Sequence, residues 1–158
     1  MKFHSTVIFV KDIKKSKEFY TRFLDFSIEH DFGKNVILNN GLTLWEIMDV
    51  HIISDKLETK NTSTRFELYF ESENLLEIAC LLEEEGTDFL HKIHEEPWGQ
   101  QTFRFFDPDN HLIEIGEPLE IFVNNLKKKG LTSKQISEKS GIPVETVMNL
   151  LKLKKGEF

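Results

Sequence analysis

Cysteine is almost absent from this sequence, which has one cysteine in 158 residues. A single cysteine excludes a disulfide bond within the chain and a metal site made of several thiolates. Cys80 lies in the segment LLEIACLLEEEG, whose apolar residues recur at helical spacing. Because unpaired cysteines are among the most frequently buried residues, we expect Cys80 to face the core as a small hydrophobic side chain.

Long hydrophobic runs and several functional motifs are lacking as well. No stretch approaches the roughly 20 apolar residues that a membrane-spanning helix requires. The N-terminal segment MKFHSTVIFVKD has only a short apolar stretch and no small-residue cleavage site, so a secretory signal is not expected. P-loop, dinucleotide-binding and serine-nucleophile motifs are also missing. These absences predict a cytoplasmic protein without a membrane partner, and they give no indication of a nucleotide-binding site.

Phenylalanine and acidic residues, in contrast, are abundant. The 14 Phe residues and the apolar fraction of 39% predict a packed globular interior. The net charge of −7 is unevenly distributed, since residues 118–158 carry 8 Lys and Arg against 4 Asp and Glu, whereas residues 1–117 carry 12 against 23. This reversal of sign predicts a boundary near Pro118, between an acidic body unsuited to nucleic acid and a short basic tail.

Apolar periodicity predicts the same β-α-β-β-β order twice. In the first module, about residues 1–53, FHSTVIFV predicts a strand, the segment from Asp12 a helix, and SIEHDF, KNVILNN and LTLWEIMDV three strands. In the second, about residues 64–117, TRFELYFE, SENLLEIACLLEEEG, DFLHKIHE, QTFRFF and HLIEIG repeat this order. The polar segment 51–63 predicts a surface linker. The fold class is therefore α+β, with two tandem modules in one domain, residues 1–117.

Two segments carry a resemblance to a known family. FVKDIKKSKEFYTRFLDF opens the first module, and FFDPDNHLIEI closes the second. They resemble the vicinal oxygen chelate superfamily, which includes glyoxalase I, bleomycin-resistance binders, fosfomycin-resistance enzymes and extradiol dioxygenases. The resemblance covers about residues 1–117. It implies two modules whose strands form a half-open barrel around a cavity, often completed in a homodimer.

Many members of this superfamily hold a divalent metal ion, and the resemblance implies the ligand positions. Those on the last strands fall on Glu46 and Glu114, whereas those on the first strands fall on Ser5 and Arg65. A guanidinium has no lone pair to give to a metal, so Arg65 cannot replace a ligand. His4 would complete a three-residue shell with Glu46 and Glu114 only if the strand register shifted by one residue. The metal site is therefore predicted to be incomplete.

The charges of both glutamates need another partner if no metal binds them. We expect both to line the cavity, with Arg65 or Arg104 balancing their charge; the alternatives are metal ligation or exposure to solvent. Alternation places Glu67 on the same strand face as Arg65, which predicts an ion-pair network. For Arg104, a role in the ligand pocket and a salt bridge to Glu114 without a ligand role both stay open.

The loop EEPWGQQ borders the mouth of the cavity if the resemblance holds. Its Trp98 and Gln100 are candidates for ligand contact, and the alternative is a tryptophan that caps the edge of the core. His91 and His94 lie three residues apart in a predicted strand, so we expect their side chains to point to opposite faces. The predicted ligand pocket comprises Glu46, Arg65, Glu67, Trp98, Gln100, Arg104 and Glu114.

Residues 118–158 have a purely helical pattern. LEIFVNNLKKK, LTSKQISEKS and PVETVMNLLKLKK predict three short helices. The last two resemble part of a helix-turn-helix, but Glu145 stands near the start of the second, where it would face phosphate unfavourably. We therefore expect a basic helical appendage that packs on the barrel, covers its cavity or joins a dimer, rather than a DNA-binding domain.

The sequence thus predicts a protein that binds a small molecule in its cavity, without an assigned catalytic residue or cofactor. One alternative is a metal-dependent lyase, transferase or dioxygenase of the same superfamily, with a divalent metal as cofactor. A second alternative is a ligand-responsive regulator that uses its C-terminal helices to bind nucleic acid. A homodimer is the expected assembly.

Overall fold

A computed structural model describes residues 5–46 and 67–153 of the chain. They form two compact units, the described parts of Met1–Glu67 with Phe106–Leu112, and of Leu68–Phe105 with Ile113–Phe158. The strands are arranged in two four-stranded sheets. Each predicted module therefore supplies one sheet.

The first sheet follows the predicted order of one strand, one helix and three strands. The elements are β1 (Thr6–Phe9), α1 (Ile13–Phe23), β2 (Ile28–Asp31), β3 (Asn35–Leu38) and β4 (Leu42–Trp45). Their spatial order is β1-β4-β3-β2, with β1 parallel to β4 and the other neighbours antiparallel. The first strand of the module thus lies beside its last strand.

Helix α1 is fixed at its start by a side-chain cap and along its length by a buried face. The Asp12 carboxylate accepts the backbone N–H groups of Lys14 and Lys15 at 2.9 and 3.1 Å, as an N-cap should. One helix face buries Phe19 and Tyr20, whose rings meet edge to face with centroids 5.6 Å apart. The cap and the aromatic spacing that predict this helix are both present.

The second sheet repeats the arrangement of the first. Its elements are β5 (Glu67–Glu71), α2 (Leu75–Glu84), β6 (Phe89–Glu95), β7 (Gln101–Phe106) and β8 (Leu112–Gly116). The spatial order is β5-β8-β7-β6, so the first strand again lies beside the last. The predicted α+β class and the tandem β-α-β-β-β repeat are confirmed.

The prediction that Cys80 faces the core is wrong, because Cys80 is exposed. The buried residues of α2 are Leu75, Ala79 and Leu82, which lie four and three positions apart on one stripe. Each residue turns a helix by about 100°, so Cys80 leaves the stripe that Ala79 occupies. Apolar residues on both sides of this helix, including the exposed Leu76, conceal which stripe is buried.

Three helices follow the second sheet, as predicted: α3 (Leu119–Lys128), α4 (Ser133–Ser140) and α5 (Val144–Leu153). A capping box between Thr132 and Gln135 begins α4, and Gly141 ends it with φ 76°, a left-handed conformation that glycine adopts without strain. The helices share a small apolar core, formed by Phe122, Val123, Leu126, Ile136 and Val147. This core explains why so short a segment has three ordered helices.

The C-terminal segment contacts the end of β6 and the loop that follows it. Lys129 and Lys139 both form ion pairs with Glu95, the Lys139 contact at 3.0 Å. Gly99 has φ 104°, which side chains rarely adopt, and a Cβ atom there would lie 2.9 Å from a methyl carbon of Leu126, so glycine is favoured at this position. Within residues 5–46 and 67–153, none of the helices has the length and apolar character that a bilayer crossing requires. The ion pairs of Lys129 and Lys139 with Glu95 therefore use part of the charge of the basic appendage to hold the end of β6 in the same unit.

Candidate functional site

The second sheet has one apolar and one polar face, and the polar face carries most of the predicted site. Alternation along β7 and β8 buries Phe103, Phe105, Ile113 and Ile115 on the apolar side. The residues that alternate with them, Thr102, Arg104 and Glu114, therefore point to the opposite side of the sheet. We call this side, together with the side chains that contact it, the polar face: His91, His94, Glu96, Trp98, Gln100, Thr102, Arg104, Glu114, Tyr69 and Glu71.

Arg104 is the centre of the polar face. Its guanidinium donates to Glu96 Oε1 at 2.9 Å and to His91 Nε2 at 3.1 Å through one nitrogen. The other terminal nitrogen donates to Glu114 Oε2. A salt bridge between Arg104 and Glu114 is one of the two roles that the sequence leaves open, and it is present. Three acceptors thus converge on one cation that is only 19% exposed.

Glu96 also belongs to this network, although no pattern in the sequence predicts it. It is 8% exposed and also accepts the Thr102 hydroxyl at 2.9 Å. Burial raises the pKa of Glu96, but the hydrogen bonds from Arg104 and Thr102 outweigh this effect and the pKa is lowered. Glu96 lies just before Pro97 in the loop EEPWGQQ, and only its neighbourhood to Trp98 and Gln100 could have drawn attention to it.

The expectation that His91 and His94 point to opposite faces is wrong. Their Nδ1 atoms lie 3.0 Å apart, and their rings meet at 79° with centroids 4.3 Å apart. The pairing of β6 with β7 shifts register between these two residues, so strict alternation does not hold there. His94 Nε2 also approaches Glu96 Oε1 at 3.6 Å. The irregular strand thus adds two imidazoles to the polar face.

The predicted contact residues of the loop form a chain of hydrogen bonds. Trp98 Nε1 donates to Gln100 Oε1 at 3.0 Å, and Gln100 Nε2 donates to the Tyr69 hydroxyl at 3.0 Å and to the Glu117 carbonyl at 2.7 Å. Trp98 is 37% exposed, so its ring is available to solvent. A Cβ atom on Gly116 would lie 2.9 Å from Gln100 Nε2. Glycine at this position allows the loop side chain to lie over β8.

Tyr69 and Glu71 extend the polar face along β5. The Tyr69 hydroxyl donates to Glu71 Oε1 at 3.3 Å. Burial raises the pKa of Tyr69, and the negative charges of Glu71 and Glu114 raise it further against the opposing hydrogen bond from Gln100. Glu67, which belongs to the predicted pocket, is exposed at the start of the same strand. Arg65 lies outside the described residues.

Glu46, the other predicted last-strand glutamate, belongs to the first unit and has a different environment. Its Oε2 atom accepts the backbone N–H of Ile13 at 2.9 Å, and its Oε1 atom accepts Lys34 Nζ at 2.7 Å. The Lys34 hydrogen bond, followed by the one from Ile13, lowers the pKa of Glu46. Glu46 thus binds the start of α1 and a lysine, whereas the sequence predicts an arginine as its charge partner.

The residues at the superfamily's metal positions do not fit a divalent ion. Ser5 accepts a hydrogen bond from the Thr43 hydroxyl at 3.4 Å, and a neutral hydroxyl is a weak ligand. Both oxygens of Glu46 are engaged as described above, and Glu114 contacts Arg104. An ion at either glutamate would have to displace a cationic side chain that is already paired. His4 lies outside the described residues.

Comparison with known proteins agrees with this architecture. A family model described as a glyoxalase-like domain matches residues 3–120. A protein of unknown function from Agrobacterium tumefaciens has 31% identity and a TM-score of 0.65, over 75% of this chain and 95% of its own. No curated protein matches.

Two more distant structures share the fold. A member of the glyoxalase/bleomycin resistance protein/dioxygenase superfamily from Sphaerobacter thermophilus has 20% identity and a TM-score of 0.56, over 75% of this chain and 98% of its own. The fosfomycin resistance protein FosX from Listeria monocytogenes has 17% identity and a TM-score of 0.55, over 75% and 93%. The tandem β-α-β-β-β fold that the sequence resemblance implies is confirmed.

Proposed function

Because the chain belongs to the glyoxalase-like domain family of the vicinal oxygen chelate superfamily, we propose that it binds a small organic molecule on the polar face of its second sheet. We propose further that this binding does not use a metal ion at Glu114. The contact between Arg104 and Glu114 is the observation that supports the absence of a metal ion at Glu114. The superfamily's last-strand carboxylate is balanced by a side chain of the protein itself, which a metal-dependent lyase, transferase or dioxygenase would need to displace.

The charges of the polar face favour a cationic ligand. On the polar face, the carboxylates of Glu71, Glu96 and Glu114 outnumber the one guanidinium, that of Arg104. This guanidinium already contacts two of them, Glu96 and Glu114. An anionic ligand would approach these carboxylates at a cost, whereas an amine would be attracted to them. Trp98 and Tyr69 add partly exposed aromatic rings, which attract cations over their faces. A ligand with an amine and a flat ring suits this combination.

Three fragments of similar size separate these possibilities: benzylamine, benzyl alcohol and benzoate. We expect benzylamine to bind to the full chain with a Kd of about 1 mM, and at least fivefold more tightly than the neutral and anionic fragments. Ligand-observed NMR titration in the presence of EDTA measures these affinities. Equal affinity for benzoate, or a benzylamine signal that EDTA abolishes, would contradict the proposal.

Variants locate the binding. Glu71→Gln removes an exposed carboxylate of the polar face and should weaken benzylamine binding about threefold or more, because one Coulomb attraction is lost. The matched control is Glu83→Gln, which also removes an exposed carboxylate, in this case from helix α2, where Glu83 pairs with Lys92. If both variants weaken binding equally, the effect comes from the net charge of the protein and not from the polar face.

A further inference from the structure

Three side chains of the polar face bring metal-binding atoms together away from the superfamily's metal positions. They are His91, His94 and Glu96, whose ligand atoms all lie within 4.8 Å of one another. The two Nδ1 atoms are 3.0 Å apart. Two nitrogens bound to one zinc ion at about 2.0–2.1 Å in tetrahedral geometry are separated by roughly 3.3–3.4 Å. The two Nδ1 atoms are therefore within a few tenths of an ångström of the separation that one shared ion requires.

We propose that His91, His94 and Glu96 form a binding site for a divalent transition metal such as Zn²⁺, and that occupation of this site releases Arg104 from His91. Two imidazoles and one carboxylate are a donor set that suits zinc, nickel and copper better than magnesium or calcium. Three protein ligands leave a coordination position open for water or a small molecule. The proposal stands on these residues alone and does not require the small-molecule binding proposed above.

The release of Arg104 follows from the hydrogen-bonding roles of the two side chains. A guanidinium only donates, so His91 Nε2, at 3.1 Å from Arg104, must accept with its lone pair. The proton of the neutral ring is then on Nδ1, where His94 Nδ1 and the Lys92 carbonyl lie, each at 3.0 Å. The metal-free arrangement thus fixes one tautomer of His91.

A metal ion is incompatible with this arrangement at either ring nitrogen. Binding at Nε2 replaces Arg104 directly. Binding at Nδ1 needs the lone pair there, so the proton of the neutral ring moves to Nε2 and opposes the donating guanidinium of Arg104. Arg104 and the ion would also compete for Glu96, which Arg104 contacts at 2.9 Å. Arg104 therefore occupies the site as an internal cation, and the metal must replace it.

Release of Arg104 would also affect Glu114, which is not one of the three ligands. The same guanidinium contacts Glu114, the last-strand glutamate of the superfamily. A metal ion at His91, His94 and Glu96 would therefore change the charge environment of Glu114 without touching it. By linkage, a ligand that holds Arg104 in its present position weakens metal binding by the same factor by which the metal weakens the binding of that ligand.

Calorimetric titration of the metal-free full chain with ZnCl₂ tests the site. We expect binding of one ion that His94→Asn weakens at least tenfold, while His30→Asn leaves it unchanged. His30 is a suitable control because it is exposed and stacks on Phe32 in the first unit. Absence of binding up to about 1 mM ZnCl₂ would overturn the proposal, as would equal affinities of the His94→Asn variant and the unaltered protein.

The competition with Arg104 has its own test. Arg104→Met removes the internal cation and should tighten Zn²⁺ binding about fivefold or more, because the ion no longer displaces a paired charge. If this variant does not fold, ¹⁵N NMR of the histidine rings in the unaltered protein decides the point. We expect the Nδ1–H tautomer of His91 without metal and its loss on adding Zn²⁺. Unchanged affinity in Arg104→Met, or a His91 ring that carries its proton on Nε2 before metal is added, would refute the competition.

Discussion

Tyr20 donates its hydroxyl proton to Asp107 Oδ2 at 2.9 Å, although the two residues lie 87 positions apart in the sequence. Tyr20 is completely buried in α1, and Asp107 is 3% exposed at the start of the DPDN turn. The turn also receives Ser16 Oγ and the backbone N–H of Lys11 on the carboxylate of Asp109, at 3.2 and 3.0 Å. The DPDN segment thus binds the first helix, which explains why the turn belongs to the first compact unit.

Tyr20→Phe should lower the free energy of unfolding by about 1–3 kcal/mol, because a buried carboxylate oxygen of Asp107 loses its phenol donor. Urea denaturation followed by far-UV circular dichroism measures the change. Tyr69→Phe is the matched control, since Tyr69 is 47% exposed and should cost less than about 0.5 kcal/mol. Equal losses in the two variants would mean that the contact between Tyr20 and Asp107 adds nothing specific.

His111 makes the same turn sensitive to pH. Burial lowers the pKa of His111, but the hydrogen bond to Asp107 at 2.9 Å and the charges of Asp107 and Asp109 outweigh it, so the pKa is raised above 6.5. A raised folded-state pKa stabilises the protein fully below the unfolded pKa, and the stabilisation is lost as the pH rises through the folded value.

The expected result is therefore greater stability near pH 6 than near pH 8.5, with a difference that His111→Asn reduces. Urea denaturation of both proteins at the two pH values checks this, and the comparison between proteins removes the contribution of other titrating groups. A His111→Asn variant with the same pH dependence as the unaltered protein would show that His111 does not carry the effect.

Gly116→Ala should disturb the polar face more than the fold. The added Cβ would lie 2.9 Å from Gln100 Nε2 and 3.1 Å from the Tyr69 hydroxyl, both at the ends of flexible side chains. We expect a loss of stability of about 1 kcal/mol or less, since these ends can move, but a clear loss of benzylamine affinity. Thermal unfolding and NMR titration measure the two effects. Gln100→Ala should lose affinity similarly, and normal affinity in both variants would separate the loop from the binding site.

Alternation and helical spacing predict the order of the elements, whereas the predictions for the polar face fail where the backbone departs from regular alternation. Period-two patterning in QTFRFF and HLIEI is enough to place Arg104 and Glu114 on one face, and their ion pair is present. The register shift in β6 has no signature in DFLHKIHE, so the meeting of His91 and His94 could not be anticipated. Glu96 escaped notice because a loop has no period that would indicate a buried side.

Zinc should rescue a protein that has lost Arg104. Arg104→Met leaves Glu96 and Glu114 without this guanidinium, and we expect a cost of about 2–3 kcal/mol, less than for a fully buried pair because Arg104 is 19% exposed. Zinc at 100 times its Kd would restore about 2.7 kcal/mol by binding only to the folded state.

Urea denaturation with and without ZnCl₂ measures this restoration, and the double variant Arg104→Met/His94→Asn is its control. The double variant has lost the same internal cation but also one imidazole ligand, so zinc should restore little of its stability. If zinc stabilised both variants equally, the ion would act elsewhere on the chain, and Arg104 would be a simple ion-pair partner of Glu114. Rescue of the single variant alone would mean that the cation position in the polar face accepts either a guanidinium or a metal.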